Sequence, residues 1–502
     1  MRPGGRRPRY RAALALWLTV VTVPATAQVG LVTGQSLLSQ AGNNYFGNHL
    51  AAGGGLIYPD NVQRTGSGSS QTLLLLGLSG DLSHEGPRLD YRLASNLAVL
   101  KYLGGAYPIQ PSGYLDGAVY LKIVPGFFTW LVRDTYSQLQ IDPFLPLTPD
   151  NLESANFLTT GPRFTMRPTL RTSVTLEALY SYLITSSSSP QYVNFDNHRY
   201  GGNLRIERAF SEAASLYIKA DYTKVDFKDQ VQNNNFAIGS ASGGYRLSNG
   251  RTVFDISGGY SRVHVYDVLT EAAGAGSRET RETQTFDSPV WAVDVSRLIT
   301  PNQRLALIAS QQFTDPVAAF QVGFDQAVPF IAPQRNATGE AFRQRNFGLN
   351  WALQGPRTSL EVGLWESQQR YLLNSTSNVY DSNSKAANVL LRRQLSPVLS
   401  WDIAVSYQQL QQVAPPSTAG GTETVVGQSA KIFGAATDLR WQVGERLALR
   451  FLYAHSSQHD VYRDNQIGVT ASWALLGAQP PVTQAFPGLT PISPASTQAP
   501  YH

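Results

Sequence analysis

Cysteine is absent from the 502 residues, which excludes disulfides, thiol nucleophiles and thiolate-held zinc or iron–sulfur centres. Charge is scarce: Asp, Glu, Lys and Arg make up 15% of the chain, against about 25% in an average soluble domain. Long apolar runs are also missing. The only candidate, Ala12 to Val23, falls short of the ~20 residues that a membrane-spanning helix needs. An excess of one sign is lacking too, because Arg2, Arg6, Arg7, Arg9 and Arg11 account for the whole formal charge of +5 and the remainder is balanced. The basic pI therefore reflects that leading segment and gives no reason to expect nucleic acid as a partner. No G-x-S-x-G, P-loop or H-E-x-x-H pattern occurs, and neither a catalytic constellation nor a cofactor site is expected. The densest histidine cluster, His455 with His459 beside Asp460, has the i, i+4 spacing that converges on a helix rather than on a strand.

What is present begins with targeting. The five arginines, the short apolar run and Ala25-Thr26-Ala27 have the layout of a secretory signal peptide, expected over residues 1–27. Pro8 and Arg9 follow Arg6-Arg7 where a twin-arginine signal carries a hydrophobic residue, so general secretion is favoured. A short periplasmic segment is expected over 28–47. At the other end, Pro480, Pro481, Pro487, Pro491, Pro494 and Pro500 rule out a strand, and 476–502 reads as an extended periplasmic tail.

Between these segments the apolar residues recur with period two. Val174, Leu176, Ala178, Tyr180, Tyr182 and Ile184 fall on one face, and Leu447, Leu449, Phe451 and Tyr453 on another. Ile467, Val469, Ala471 and Trp473 repeat the pattern near the end. Alternation over about ten residues is the mark of an outer-membrane strand. Tight-turn signals punctuate it at Gly86-Pro87, Pro125-Gly126, Arg167-Pro168, Ser211-Glu212, Asn249-Gly250, Pro301-Asn302, Gly355-Pro356, Ser396-Pro397 and Gly444-Glu445. Less regular stretches (184–196, 267–283, 314–338 and 412–427) lie between them. Short turns on one side and longer loops on the other predict an all-β, transmembrane, antiparallel up-and-down barrel over 48–475, with about 20 strands and 18 as the alternative. A soluble propeller would place four short strands, not two long ones, in each unit of about 43 residues.

Trp130, Trp351, Trp401 and Trp441 each lie close to a tight turn, and Trp473 ends the last strand on the same side, as an interfacial girdle requires. Trp291 and Trp365 are expected nearer a second girdle. The face opposite the apolar stripes supplies candidate lumen charges: Asp90, Arg92, Arg205, Glu207, Lys219, Asp221, Asp255, Asp294, Glu361, Asp402, Asp438, Arg440, Arg450 and Asp464. Both signs are interspersed, so no single-sign selectivity ring is predicted. Inward Asn203, Gln344, Asn346, Asn350, Ser406 and Gln408 have the amide and hydroxyl groups that bind sugars, although ordinary lumen polarity has the same composition.

Asn48 to Val62 (NHLAAGGGLIYPDNV), Leu75 to Leu93 (LLGLSGDLSHEGPRLDYRL) and Leu147 to Phe164 (LTPDNLESANFLTTGPRF) resemble the opening strands of the outer-membrane β-barrel porins found beside bacterial exopolysaccharide and exosortase (PEP-CTERM) systems. The resemblance rests on strand texture. It implies an outer-membrane barrel linked to export or assembly of surface polysaccharide, with outer-membrane lipid, the barrel-insertion machinery, polysaccharide or periplasmic export proteins as partners, and it implies no catalytic residues. Two functions remain open: a porin-like conduit, or a non-conducting structural barrel that anchors a surface polymer or assembly complex. The apolar residues Phe320, Val322, Phe324, Val328, Pro329 and Phe330 make 314–338 the expected inward constriction.

Overall fold

The computed structural model describes residues 48–187, 194–229, 234–270, 280–315, 339–373, 381–413 and 425–477. Its first ten strands are β1 (His49–Pro59), β2 (Leu73–Glu85), β3 (Leu89–Tyr102), β4 (Gln110–Val124), β5 (Phe128–Gln140), β6 (Leu152–Thr169), β7 (Thr172–Ser186), β8 (Asn197–Ala209), β9 (Ala214–Phe227) and β10 (Phe236–Ser248). Ten more follow: β11 (Thr252–Thr270), β12 (Thr280–Thr300), β13 (Gln303–Thr314), β14 (Phe342–Gln354), β15 (Thr358–Tyr371), β16 (Ser382–Ser396), β17 (Leu399–Val413), β18 (Val425–Gln442), β19 (Leu447–Gln458) and β20 (Tyr462–Leu476). Each strand pairs antiparallel with its sequence neighbours, and β1 pairs with β20 through Gly53↔Ser472 and Ile57↔Gly468, so the sheet has no free edge. At ~4.8 Å between strands and a tilt near 40°, twenty strands close at a backbone radius of about 20 Å.

The nine tight connections from β2–β3 to β18–β19 lie at one end, and a tenth short connection, 459–461 between β19 and β20, lies at the other. At Pro125-Gly126 the Phe127 N–H donates to Val124 O at 3.0 Å, and Gly126 takes a φ of +79°, which a side chain would disfavour. Asn249 holds its turn by accepting on Oδ1 from the N–H groups of Arg251 (3.0 Å) and Thr252 (2.7 Å). The reversal expected at Arg167-Pro168 falls instead at Leu170-Arg171. Pro168 continues β6 through a register irregularity between Met166 and Thr169, where its missing N–H leaves no ladder bond unmade.

Alternation sets the two faces. On β2, Leu76 and Leu78 are exposed outward while Leu73 and Asp81 are buried inward, and on β17 Trp401, Val405 and Tyr407 point out while Asp402, Ala404 and Leu410 point in. Trp130, Trp441, Trp473 and Trp291 are outward and exposed, and Trp351 shares their outward parity. Trp130 and Trp401 donate their indole N–H to Thr160 (2.9 Å) and Thr437 (2.7 Å) on the neighbouring strands. Trp365 differs from expectation. It faces inward at 7% exposure and lies over Gly348, where an added Cβ would come within 2.5 Å of the ring. No helix among the described residues is long and apolar enough to cross a membrane; the crossing is made by strands.

Candidate functional site

The lumen is where the inward side chains meet. In its periplasmic half they form a belt of paired charges. The register places Arg92, Arg205, Glu207, Lys219, Asp221, Asp255, Asp294, Glu361, Asp402, Asp438, Arg440 and Arg450 on the inward parity of their strands. Arg392 grips Asp402 from Nε and Nη2, both at 2.9 Å, and Arg450 Nε donates to Asp438 at 2.5 Å. Arg440 lies beside both carboxylates and both arginines. Further round, Arg205 meets Glu207 at 2.9 Å and Lys219 meets Asp221 at 3.0 Å. Tyr217 O–H donates to Asp255 at 2.6 Å, and the Arg205 guanidinium stacks over the Tyr217 ring at 4.0 Å. Asn350 donates to Glu361 at 2.6 Å, and Asp294, opposite Asp255, lies in the field of Arg304. Arg92 acts on Asp81 across the β2–β3 pair.

The belt extends to further pairs, of whose residues only Asp90 is among the candidates that the sequence offers. Arg133 binds Asp116 through two bonds of 2.9 and 3.2 Å, Lys122 meets Asp90 at 2.7 Å, and Arg163 pairs with Glu177. Most of these cations stand against an acid of their own, and Arg440 shares Asp402 and Asp438 with two other arginines, so the wall is polar and of mixed sign. Such a wall has no single-sign ring to select cations from anions. Of the inward amides, Asn203 donates to Asp221 at 2.6 Å, and Asn346 accepts from Ser367, which also receives the Gln344 amide. Gln408 donates to Ser384 at 3.4 Å, whereas Ser406 stands opposite Asn388. Among the described residues no group of three or more His, Asp or Glu side chains could hold a metal ion. His455 accepts or donates at Asn465 (2.9 Å), while His459 pairs with Asp460 beyond the strand.

The extracellular half is bridged twice. The connection 141–151 turns into the lumen, and Phe144 packs against Leu410 and Ala430 of the far wall. Gln458 Nε2 donates to Phe144 O at 2.7 Å. Arg64, 1% exposed, donates to Leu147 O (3.1 Å) and to Asp464 (3.3 Å). Asn151 shapes the loop: its Nδ2 reaches the carbonyls of Asp142 (2.7 Å) and Pro146 (3.0 Å), and its Oδ1 accepts from Asp142 N (2.8 Å). Tyr107 packs edge-on to Tyr102 beside this loop, and burial pushes its phenol up to about 12, so the contact stays uncharged at neutral pH. The second bridge is apolar. Phe157, Leu183, Val225, Phe236 and Val263 of β6–β11 gather with Phe313, Ala341 and Leu373, and Arg199 clamps Asp315 through bonds of 2.7 and 3.0 Å. The expected constriction 314–338 lies, from 316 onward, outside the described residues, as do segments 1–47 and 478–502.

No protein-family model matches the chain, and no curated protein matches it. Solved structures do match in part. The ferric-catecholate import receptor Fiu of E. coli K12 is 9% identical with a TM-score of 0.46, covering 86% of this chain and 82% of that one. The copper transporter OprC gives 11%, 0.44, 85% and 81%. The FrpB iron transporter of Neisseria meningitidis gives 9%, 0.46, 86% and 82%. The strand closure, the outward apolar band and the outward tryptophans themselves define what the chain is: a twenty-stranded β-barrel of the outer membrane.

Proposed function

We propose that the barrel is a porin-like conduit for a neutral, hydrated solute, and that the solute is surface polysaccharide on its way out or into assembly. The observation that carries this reading is the sign-balanced belt. Arg392–Asp402, Arg450–Asp438, Arg205–Glu207 and Lys219–Asp221 line the wall with hydrogen-bonding groups while cancelling its net field. A chain of sugar hydroxyls exchanges bonds with such a surface at little cost, whereas an ion finds no attractive ring. The likeness of Asn48 to Val62 and Leu147 to Phe164 to barrels that accompany exopolysaccharide systems supports the same solute.

The bridge formed by 141–151 favours a second reading, a barrel closed at rest that anchors a polymer or an assembly complex. One experiment separates the two. Purified protein reconstituted into a planar bilayer, with and without deletion of 143–148, should show small channels that enlarge on deletion and a reversal potential near zero in a KCl gradient. Entry of neutral oligosaccharides into proteoliposomes should rise in parallel. Silence from both forms would leave the anchoring barrel as the function.

A further inference from the structure

On the outward face, at mid-strand, one carboxyl among the described residues has no cation across the ladder. Asp134 follows outward Trp130 and Val132 on β5, with Gly117 and Leu158 as its cross-strand neighbours. Among the other outward carboxyls of the described residues, Glu366, near mid-strand on β15, faces Lys385 across the ladder, Asp287 binds Arg262 at 2.7 Å, and Asp226 binds Lys224 at 2.9 Å. Arg208, Arg297 and Arg393 sit by the periplasmic turns; Lys224, Arg262 and Lys385 sit toward the extracellular rim. Asp134 is the central residue of the 13-residue β5, at the depth where the barrel meets hydrocarbon, and a carboxyl there with no cation beside it is costly unless something polar covers it.

Part of the cover is local. Asn156 Nδ2 on β6 donates to Asp134 Oδ1 at 3.0 Å, and one step above them Tyr136 O–H meets Ser154 Oγ at 3.2 Å. The second Asn156 N–H and Asp134 Oδ2 have no such partner. The dyad thus offers one donor and one acceptor, side by side, toward the membrane. Gly117 beside it carries no side chain to hold a neighbour away.

We propose that this face is a two-fold contact with a second copy of the same chain, in which the free Asn156 N–H of each copy donates to Asp134 Oδ2 of the other. Three features select a second copy. Copies inserted in the same direction hold each residue at one depth, so a two-fold axis along the membrane normal brings dyad to dyad. A two-fold contact pairs a patch with itself, which a surface with one donor and one acceptor satisfies reciprocally. Lipid tails offer neither group at this depth.

The chain has no cysteine, so a single introduced one reports on one place. Protein with Val132→Cys, oxidised in intact outer membranes, should form a disulfide-linked species of twice the chain mass, whereas Val405→Cys on the opposite wall should not. In mild detergent, light scattering should give a dimer for the unaltered protein and a monomer for Asp134→Leu/Asn156→Leu. That double variant should keep the heat-dependent gel shift of a folded barrel, which separates lost association from lost folding. A monomeric parent with no Val132→Cys crosslink, a dimer that survives the double variant, a crosslink to a different protein, or equal crosslinking at both positions would each overturn the proposal.

Discussion

The belt of paired charges is decided one residue at a time. Asp402 takes two bonds from Arg392 and stands opposite Asp438, so its removal would leave Arg392 and Arg440 facing a single remaining acid. Asp402→Ala should cost about 3–5 kcal/mol of barrel stability, as breaking a buried pair does. It should also make the mixed-sign wall more cationic and shift the reversal potential in a KCl gradient toward chloride. An unchanged reversal potential would mean that this part of the belt does not face the conducting path. Asn151 is the equivalent single point for the bridge, because three of its bonds hold one loop in shape. Asn151→Ala should cost about 1–3 kcal/mol through the carbonyls it leaves unmet, and should raise open-channel noise in bilayer recordings. Quiet recordings from this variant would count against the loop as a barrier.

At the scale of elements, legibility followed locality. Eight of the nine tight turns at the periplasmic end were readable because Pro, Gly, Asn and Ser impose their geometry within four residues, as at Val124–Phe127 and at Ser211, whose Oγ accepts from Ala214 N at 3.1 Å. Pro168 misled because a bulge absorbs the missing N–H, an option that the dipeptide does not reveal. Strand faces were readable because side chains alternate strictly, so the inward parity of Asp402, Asp438 and Arg450 follows from their strands. Trp365 was misread because its inward position depends on Gly348 of the neighbouring strand leaving room for the ring. The bridge was unreadable for the same kind of reason: Phe144 meets Leu410 and Gln458 across the lumen, and nothing near residue 144 announces that contact. Phe144→Ala should remove the packing on Leu410 at a cost of up to about 3–5 kcal/mol, less where the loop collapses into the space. Protease cleavage within 141–151 should then appear in a barrel that otherwise resists digestion.

The whole molecule is constrained by the membrane more than by any core of its own. A closed sheet with no edge satisfies every ladder group, and its stability against lipid depends on where along the axis each outward side chain lies. Val405 and Leu395 make that dependence measurable. Both are outward and exposed, but Val405 lies at mid-height on β17, whereas Leu395 adjoins the turn at Pro397. An arginine at mid-height must drag its charge through hydrocarbon, while one at the turn can reach water. Val405→Arg should therefore destabilise the barrel by about 2–4 kcal/mol and Leu395→Arg by about 0–1 kcal/mol. Urea titration in lipid vesicles, followed by tryptophan emission, reads both. The order matters more than the size. If the two substitutions cost the same, the apolar band is not centred where the tryptophans place it, and Asp134 would no longer stand at the depth that makes its exposure costly.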